Sequence, residues 1–305
     1  MSDRSFTGNE CWVYQADAVD QLAGHHAALM AGALDAGDPV TCLIYAPRRG
    51  AEAGPFGVAA PSGSHALAVT KTRFVLTHDP HQAGTAPAVR SVPFDNVLSV
   101  SIGEALTLGW VAVRFVERDR STTETIAFSS TGIDLVRAAL RAWRRTTTAG
   151  GRIDAGELPS DALASEIPPF LWSQLAPLVL GDEPLVDILL GRETWLPSHR
   201  GRRRCGSPWA CCVVTGGGLL IGQSEAPLEP GELVFGVSVT CLDKRVIRRL
   251  SLARFPDDQE PGTTLAVEVQ AGSATHNVRV RLGGLKPADL GSRLAGVTPH
   301  IEVVR

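Results

Sequence analysis

Short apolar runs broken by turn residues set the pattern of this chain, and two of them look alike. Residues 66–77 read ALAVTKTRFVLT and residues 210–222 read ACCVVTGGGLLIG. Each is an apolar, β-branched run, then Thr, then a short turn, then a second apolar run, which predicts a hairpin. The turns fall at Lys71-Thr72 and Gly216-Gly217. Upstream, Gly37-Asp38-Pro39-Val40 and Gly181-Asp182-Glu183-Pro184-Leu185 each lead into a short apolar strand, Thr41–Tyr45 and Val186–Leu190. Both landmarks recur at an offset of about 145 residues, the mark of an internal repeat.

The match continues downstream. Ser91-Val92-Pro93-Phe94-Asp95-Asn96-Val97 parallels Val239-Thr240-Cys241-Leu242-Asp243-Lys244-Arg245-Val246, with one residue inserted. Val111–Phe115 parallels Leu265–Val269, while Thr125–Phe128 and Asn277–Val280 alternate polar and apolar as half-buried antiparallel strands do. Each unit then ends in a helix. In the first, Ile133, Val136, Leu140 and Trp143 form an apolar stripe over 132–146, with Ser130 or Thr131 as N-cap and Arg144 and Arg145 at the C-terminal end. The second helix is expected over 287–296. Six or seven antiparallel strands and one helix per unit predict a mainly β (α+β) fold. A bent sheet or small open barrel plugged by the helix buries both the sheet face and the stripe. The expected organisation is a helical segment within 1–36, a first unit over 37–146, a linker over 147–166, a short helix over 167–180 and a second unit over 181–305, each unit folding independently. The segment 16–34 presents Val19, Leu22, Leu29 and Ala33 on one helical face, and 167–180 presents Phe170, Leu171, Leu175 and Leu178. Each segment immediately precedes a repeat, so one reading makes helix plus barrel the repeating unit; the expected reading is that both cover a sheet edge or the other unit.

Composition narrows the class. With 44% apolar and 20% charged residues, the chain is neither disordered nor fibrous. No apolar run reaches 18 residues, and the first 30 residues lack a basic region followed by an apolar core, so a cytoplasmic address is expected. The cysteines form no C-x-x-C pair. Cys211 and Cys212, adjacent in an apolar run, should point to opposite faces of a strand as buried thiols.

Sites of chemistry are sparse. The chain has no G-x-S-x-G elbow, no phosphate loop and no dinucleotide fingerprint, so no cofactor or catalytic residue is expected. Gly216-Gly217-Gly218 lacks the Lys and helix of a phosphate loop. His78-Asp79-Pro80-His81 reads as a solvated loop, and His25-His26 lie about 100° apart on a helix, too far round to share an ion. Asp257-Asp258-Gln259-Glu260 reads as a hydrated acidic loop. Ser64-His65 and Cys205 remain as possible nucleophiles without an assignable base. Basic residues do cluster. Arg200, Arg202, Arg203 and Arg204 lie between the first and second strands of the second unit, and Arg48 and Arg49 occupy the same connection in the first. Residues 165–305 nevertheless carry 15 Lys plus Arg and 15 Asp plus Glu, a balance that argues against nucleic acid as a partner.

Strand, Thr-x-x-Arg hairpin (Thr70 to Arg73), Pro-Phe-Asp-x-Val (93–97), paired strands and helix together resemble the bacterial pleckstrin-homology-like (PH-like) domains over 37–146 and, more weakly, 181–297. The second copy departs from the pattern, with Gly218 in place of the hairpin Arg and Cys241-Leu242 in place of Pro-Phe. The resemblance implies a tandem of two such domains acting as a non-enzymatic adaptor or scaffold for a protein partner or for self-association. The alternatives are an anionic membrane or phosphate site at the arginine loop and, in another class, a hydrolase.

Overall fold

The computed structural model describes residues 12–35, 38–48, 52–54, 57–59, 63–80, 85–148, 166–197, 203–227, 236–255, 262–295, 297–298 and 300–304, and the chain is mainly β, built of several antiparallel sheets. Helix α1 (His26–Ala33) follows a two-residue strand β1 (Tyr14–Gln15). The first repeat then contributes β2 (Cys42–Ala46), the ribbon β3 (Glu52–Gly54) and β4 (Gly57–Ala59), the hairpin β5 (Ser64–Val69) and β6 (Arg73–Asp79), and β7 (Ala88–Pro93). A one-turn helix leads into β8 (Val97–Ala105), β9 (Leu108–Glu117), β10 (Arg120–Ser129) and α2 (Ile133–Thr148). The second repeat runs from α3 (Pro169–Leu175) to β11 (Leu185–Gly191), the ribbon β12 (Thr194–Pro197) and β13 (Arg203–Ser207), then β14 (Ala210–Thr215), β15 (Gly218–Ser224) and β16 (Gly236–Asp243). After another one-turn helix come β17 (Ile247–Arg254), β18 (Gly262–Ala271), β19 (Ala274–Gly283), α4 (Pro287–Leu294) and β20 (Ile301–Val304). No described helix is long and apolar enough to cross a membrane.

Both hairpins form where the pattern places them, and a carboxylate locks each turn. In the first repeat Thr70 Oγ1 donates to Asp38 Oδ2 at 2.6 Å and Thr72 Oγ1 at 2.9 Å, while the Lys71 N–H reaches Oδ1 at 3.2 Å. Arg73 adds ion pairs to Asp38 at 3.3 Å and to Asp35. In the second, Thr215 Oγ1 and the Gly217 N–H donate to Glu183 Oε1 at 2.5 and 3.0 Å. Glu183 and Thr215 stand 145 positions after Asp38 and Thr70, so the offset in the sequence is an equivalence of hydrogen bonds. Gly218 replaces Arg73 for a steric reason. Its φ is +145°, and a Cβ there would lie 2.0 Å from the Leu242 carbonyl oxygen.

The chain divides into two compact units that interleave along the sequence. One holds Met1–Phe94, Thr107–Val111 and Thr125–Thr146, the other Asp95–Leu106, Ala112–Glu124 and Thr147–Arg305. In the first unit, the central strands β2, β5 and β6 of the sheet β1-β2-β5-β6-β7 are buried on both faces, whereas β7 is mostly exposed. Leu43, Tyr45, Ala66, Ala68 and Val75 pack with Leu22 and Met30, the latter from α1. On the opposite face, Phe74 lies 5.1 Å from Phe94 and 5.7 Å from Trp143 of α2, ring centroid to centroid. Ile133, Val136, Leu140 and Trp143 are all buried, as their spacing predicts.

Two local expectations are corrected. The helix foreseen over 16–34 is a one-turn segment Val19–Gln21 and the eight-residue α1, parted near Gly24, whose φ is +60°. No hydroxyl caps α2. The chain enters it through a one-turn helix Ser130–Gly132, and Thr131 Oγ1 donates to Ser129 Oγ instead.

The second unit contains β11, β14, β15 and β16 in hydrogen-bonded order, and β17–β18–β19 with β20 added in parallel to β17. Leu189, Cys212, Leu219, Ile221, Leu250, Leu265, Val267 and Val280 share one core with Leu290 and Leu294 of α4. On the other face, α3 packs on β15 and β16, with Leu171 and Leu175 directly over Gly222. Cys211 and Cys212 are both fully buried, Cys212 within this core and Cys211 outside it. Each covering helix thus lies on the first sheet of the repeat that follows it, rather than on a sheet edge or on the other unit. Strand β8 of the first repeat joins β16 of the second in an antiparallel ladder from Val100↔Cys241 to Ala105↔Gly236, with a Ser101–Thr240 hydroxyl contact of 2.9 Å.

Two outcomes follow for stability. Trp143→Ala should destabilise the fold by roughly 3–5 kcal/mol in denaturant unfolding, because the ring is fully buried; a change below about 1 kcal/mol would show that α2 is peripheral. A protease site inserted between residues 149 and 165 and then cut should give fragments that co-elute in native gel filtration, since the β8–β16 ladder holds them. Separate elution would show that the ladder contributes little.

Candidate functional site

Of the arginines singled out in the sequence, Arg48 and Arg204 are exposed. Arg48 Nη2 donates to the Pro80 carbonyl at 3.3 Å. Arg204 lies on β13 opposite Leu196, and the Arg203 backbone pairs with Pro197. Arg49, Arg200 and Arg202 lie outside the described residues. Arg203 and Arg204 thus open β13, and Arg192 lies just before β12.

Arg192 lines a cleft of about 360 Å³ in the second unit. Ile188 and Leu190 of β11, Leu285 and Ile167 give it apolar walls, Gly283 and Gly284 contribute backbone, and Arg192, Arg293 and Glu166 bring charge. Its geometry begins with a backbone crossing. The Arg192 N–H donates to the Gly283 carbonyl at 2.9 Å. A Cβ on Gly191 would lie 2.6 Å from Leu282 Cα, and one on Gly283 2.2 Å from the Arg192 oxygen, so glycine at both positions lets β11 and β19 meet. Ser207 Oγ donates to the Arg192 carbonyl at 3.2 Å and contacts the Thr194 hydroxyl at 3.0 Å.

Arg293 of α4 dresses the adjacent stretch of β11. Its Nε and Nη2 donate to the two carboxylate oxygens of Asp187 at 2.6 Å each, and Nη2 also reaches the Ile188 carbonyl at 2.8 Å. This forked pair holds the guanidinium pKa above its ordinary value. The Arg192 side chain is exposed and has no partner among the described residues.

A second polar constellation lies inside the first unit. His26 Nε2 and Ser64 Oγ are 2.9 Å apart, and His26 Nδ1 and Thr77 Oγ1 are 2.7 Å apart. Serine, histidine and a hydroxyl that orients it have the order of a nucleophile with its base. All three groups are buried. His26 and Thr77 are 1% exposed and Ser64 7%. Burial pushes the His26 pKa down to about 4, and the nearby Asp79 charge only partly offsets it. His65, stacked on His78 at 4.5 Å, is pushed down to about 3, again chiefly by burial. The imidazole beside Ser64, for which the sequence offered no assignable base, is His26 of α1. The sequence concealed this because the partners lie 38 and 51 positions apart. At Cys205, burial, then the Glu193 charge, raises the thiol to about 11, which keeps it protonated at neutral pH. Among the described residues no three His, Cys, Asp or Glu side chains converge as metal ligands, and His81 lies outside them.

No protein-family model matches the chain, and no curated protein matches it.

The buried imidazoles carry a pH signature. With pKa values below the unfolded 6.5, they bind fewer protons when folded, so their stabilisation is complete above pH 6.5 and is lost as pH falls towards 4 and then 3. Urea unfolding from pH 7 to pH 4.5 should show a fall of a few kcal/mol, reduced in His26→Asn. The Asp38 carboxyl is desolvated, yet the Thr70, Thr72 and Lys71 bonds and the Arg73 charge hold its pKa below the ordinary value, so its loss comes only at lower pH. A flat profile between pH 6.5 and 4.5 would contradict neutral, buried His26 and His65.

Proposed function

We propose that this chain is a cytoplasmic, non-enzymatic adaptor built of two PH-like repeats, which engages a protein partner. Two parallels between the repeats support the fold half of this reading. Each repeat has the same element series, a four-stranded and a three-stranded antiparallel set followed by a helix whose apolar stripe enters the core. Each also has the same carboxylate lock on its first hairpin. On this reading each repeat is an open barrel plugged by α2 or α4, and the domain boundaries are those of the repeats.

The single observation that carries the binding half is a contrast of access. The hydrogen-bonded nucleophile and base, Ser64 with His26, are sealed in the interior, whereas the 360 Å³ cleft is rimmed by exposed Arg192, Glu166 and Gly284. Its walls are apolar side chains, guanidinium groups and glycine backbone, the materials of recognition rather than of bond cleavage.

A second reading rests on the β12–β13 ribbon, just after Arg192. Arg200, Arg202, Arg203 and Arg204, with Arg48 and Arg49 in the corresponding connection, offer charges that each attract an anionic surface by about 1 kcal/mol. That is enough for weak, salt-sensitive membrane binding.

The two readings separate in one set of measurements. A fluorophosphonate probe and iodoacetamide should leave Ser64 and Cys205 unmodified, and immobilised protein should retain a defined protein partner in stoichiometric amount. Specific labelling of either residue overturns the adaptor reading in favour of a hydrolase. Co-sedimentation with phosphatidylglycerol vesicles that falls with salt and vanishes on Arg→Glu changes at 202–204, without partner retention, moves the function to the membrane.

A further inference from the structure

We infer that the cleft beside β11 takes an extended peptide segment bearing an Asp or Glu side chain, adding it as a short strand to the open edge at Leu190. The inference rests on the adaptor reading and specifies its recognition chemistry. It begins with the accounting of backbone groups along β11, which pairs with β14 on one side only. Antiparallel strands direct the N–H and C=O of alternate residues to alternate sides. The Arg192 N–H turns away from β14 to the Gly283 carbonyl. Ile188 turns the same way, its N–H held by Asp187 Oδ1 at 2.7 Å and its carbonyl by Arg293 Nη2. Leu190, midway between them, must therefore direct its own N–H and C=O to that side. Neither group has a partner among the described residues, and Leu190 lines the cleft.

An open donor and acceptor between two satisfied neighbours is the footprint of one residue of an added strand. The surroundings select its side chains. Ile167, Ile188 and Leu285 offer apolar contact to one side of such a strand, and Arg192 offers an unpaired guanidinium at its end. Arg293 leaves its Nη1 unengaged by Asp187 and Ile188. From Arg192 to Arg204 the sequence holds five arginines against one glutamate, so this stretch of chain is net positive. A carboxylate accepts two parallel N–H bonds from a guanidinium, which gives the peptide an orientation as well as an attraction. The occupant is a linear acidic segment of a partner protein.

The test selects phage-displayed random octapeptides on the full chain, and the enriched sequences are synthesised. They should carry an Asp or Glu next to alternating apolar residues. Arg192→Ala should weaken their binding about tenfold or more while leaving thermal unfolding unchanged. N-methylation of the peptide at one backbone position should abolish binding, and amide NMR shifts should centre on Leu190 and Gly284. No enrichment, acid-free consensus sequences, or binding indifferent to both Arg192→Ala and N-methylation would each overturn the inference. Retention of a folded partner alongside any of these results would leave the adaptor reading standing.

Discussion

Strands β5, β6, β14 and β15 are apolar on both faces, and a sheet with two apolar faces needs a layer on each side. In the first unit that demand is met by α1 on one face and by α2, with Phe94, on the other. In the second, α3 covers one face and β17–β19 with α4 the other. Fully burying a side chain such as Met30 or Leu140 stabilises by roughly 1.5–3 kcal/mol. The covering helices are therefore integral to each repeat, although α1 and α3 are only two turns long and would be marginal in isolation. Strands β10 and β19, which alternate buried and open positions, mark the limit of this double coverage.

Sheet edges are the other constraint, because an unpaired edge exposes backbone donors and acceptors to any passing strand. The chain closes its edges by several means. The β8 and β16 edges satisfy each other, and β20 lies along β17. On β11 the cover comes from side chains and from one backbone crossing: Asp187 and Arg293 take the groups of Ile188, and Gly283 takes the N–H of Arg192. The gap at Leu190 thus lies between two dressed positions, Ile188 and Arg192, which distinguishes it from an edge left open along its whole length.

How much of this could be read in the sequence follows from the range of each interaction. The hairpins were legible because turn chemistry and β-branched runs are local, and the α2 stripe because helical periodicity is local too. The repeat offset aligned the two Gly-Asp stretches and the two hairpin threonines, but whether Asp182 or Glu183 takes the place of Asp38 showed only in the hydrogen bonds. The Ser64–His26–Thr77 cluster was not legible, since two adjacent histidines and a Ser-His dipeptide gave no sign that a helix would carry His26 onto the sheet. The cleft was equally hidden. It depends on Gly283 meeting Arg192 across about 90 positions of chain, and no spacing rule links them. Strand β20 escaped because four residues, parallel to β17 and mostly exposed, carry no periodic signal. Strand β8 belongs to the second unit together with β16, its ladder partner, a pairing that sequence pattern leaves open.

The differences between the repeats are as instructive as their likeness. At the same hairpin the first repeat uses ionic contacts, with Arg73 spanning Asp35 and Asp38, and the second uses steric necessity, with Gly218 in a conformation closed to other residues. An exposed ion pair weakens with salt, whereas a glycine turn does not. Held by hydrogen bonds to Glu183 and by a glycine, with no ion pair to Arg, the second hairpin is accordingly the less salt-sensitive of the two. That suits its place, for β14 is the strand to which β11 pairs, and β11 carries both the Leu190 gap and the glycine crossing at the foot of the arginine ribbon.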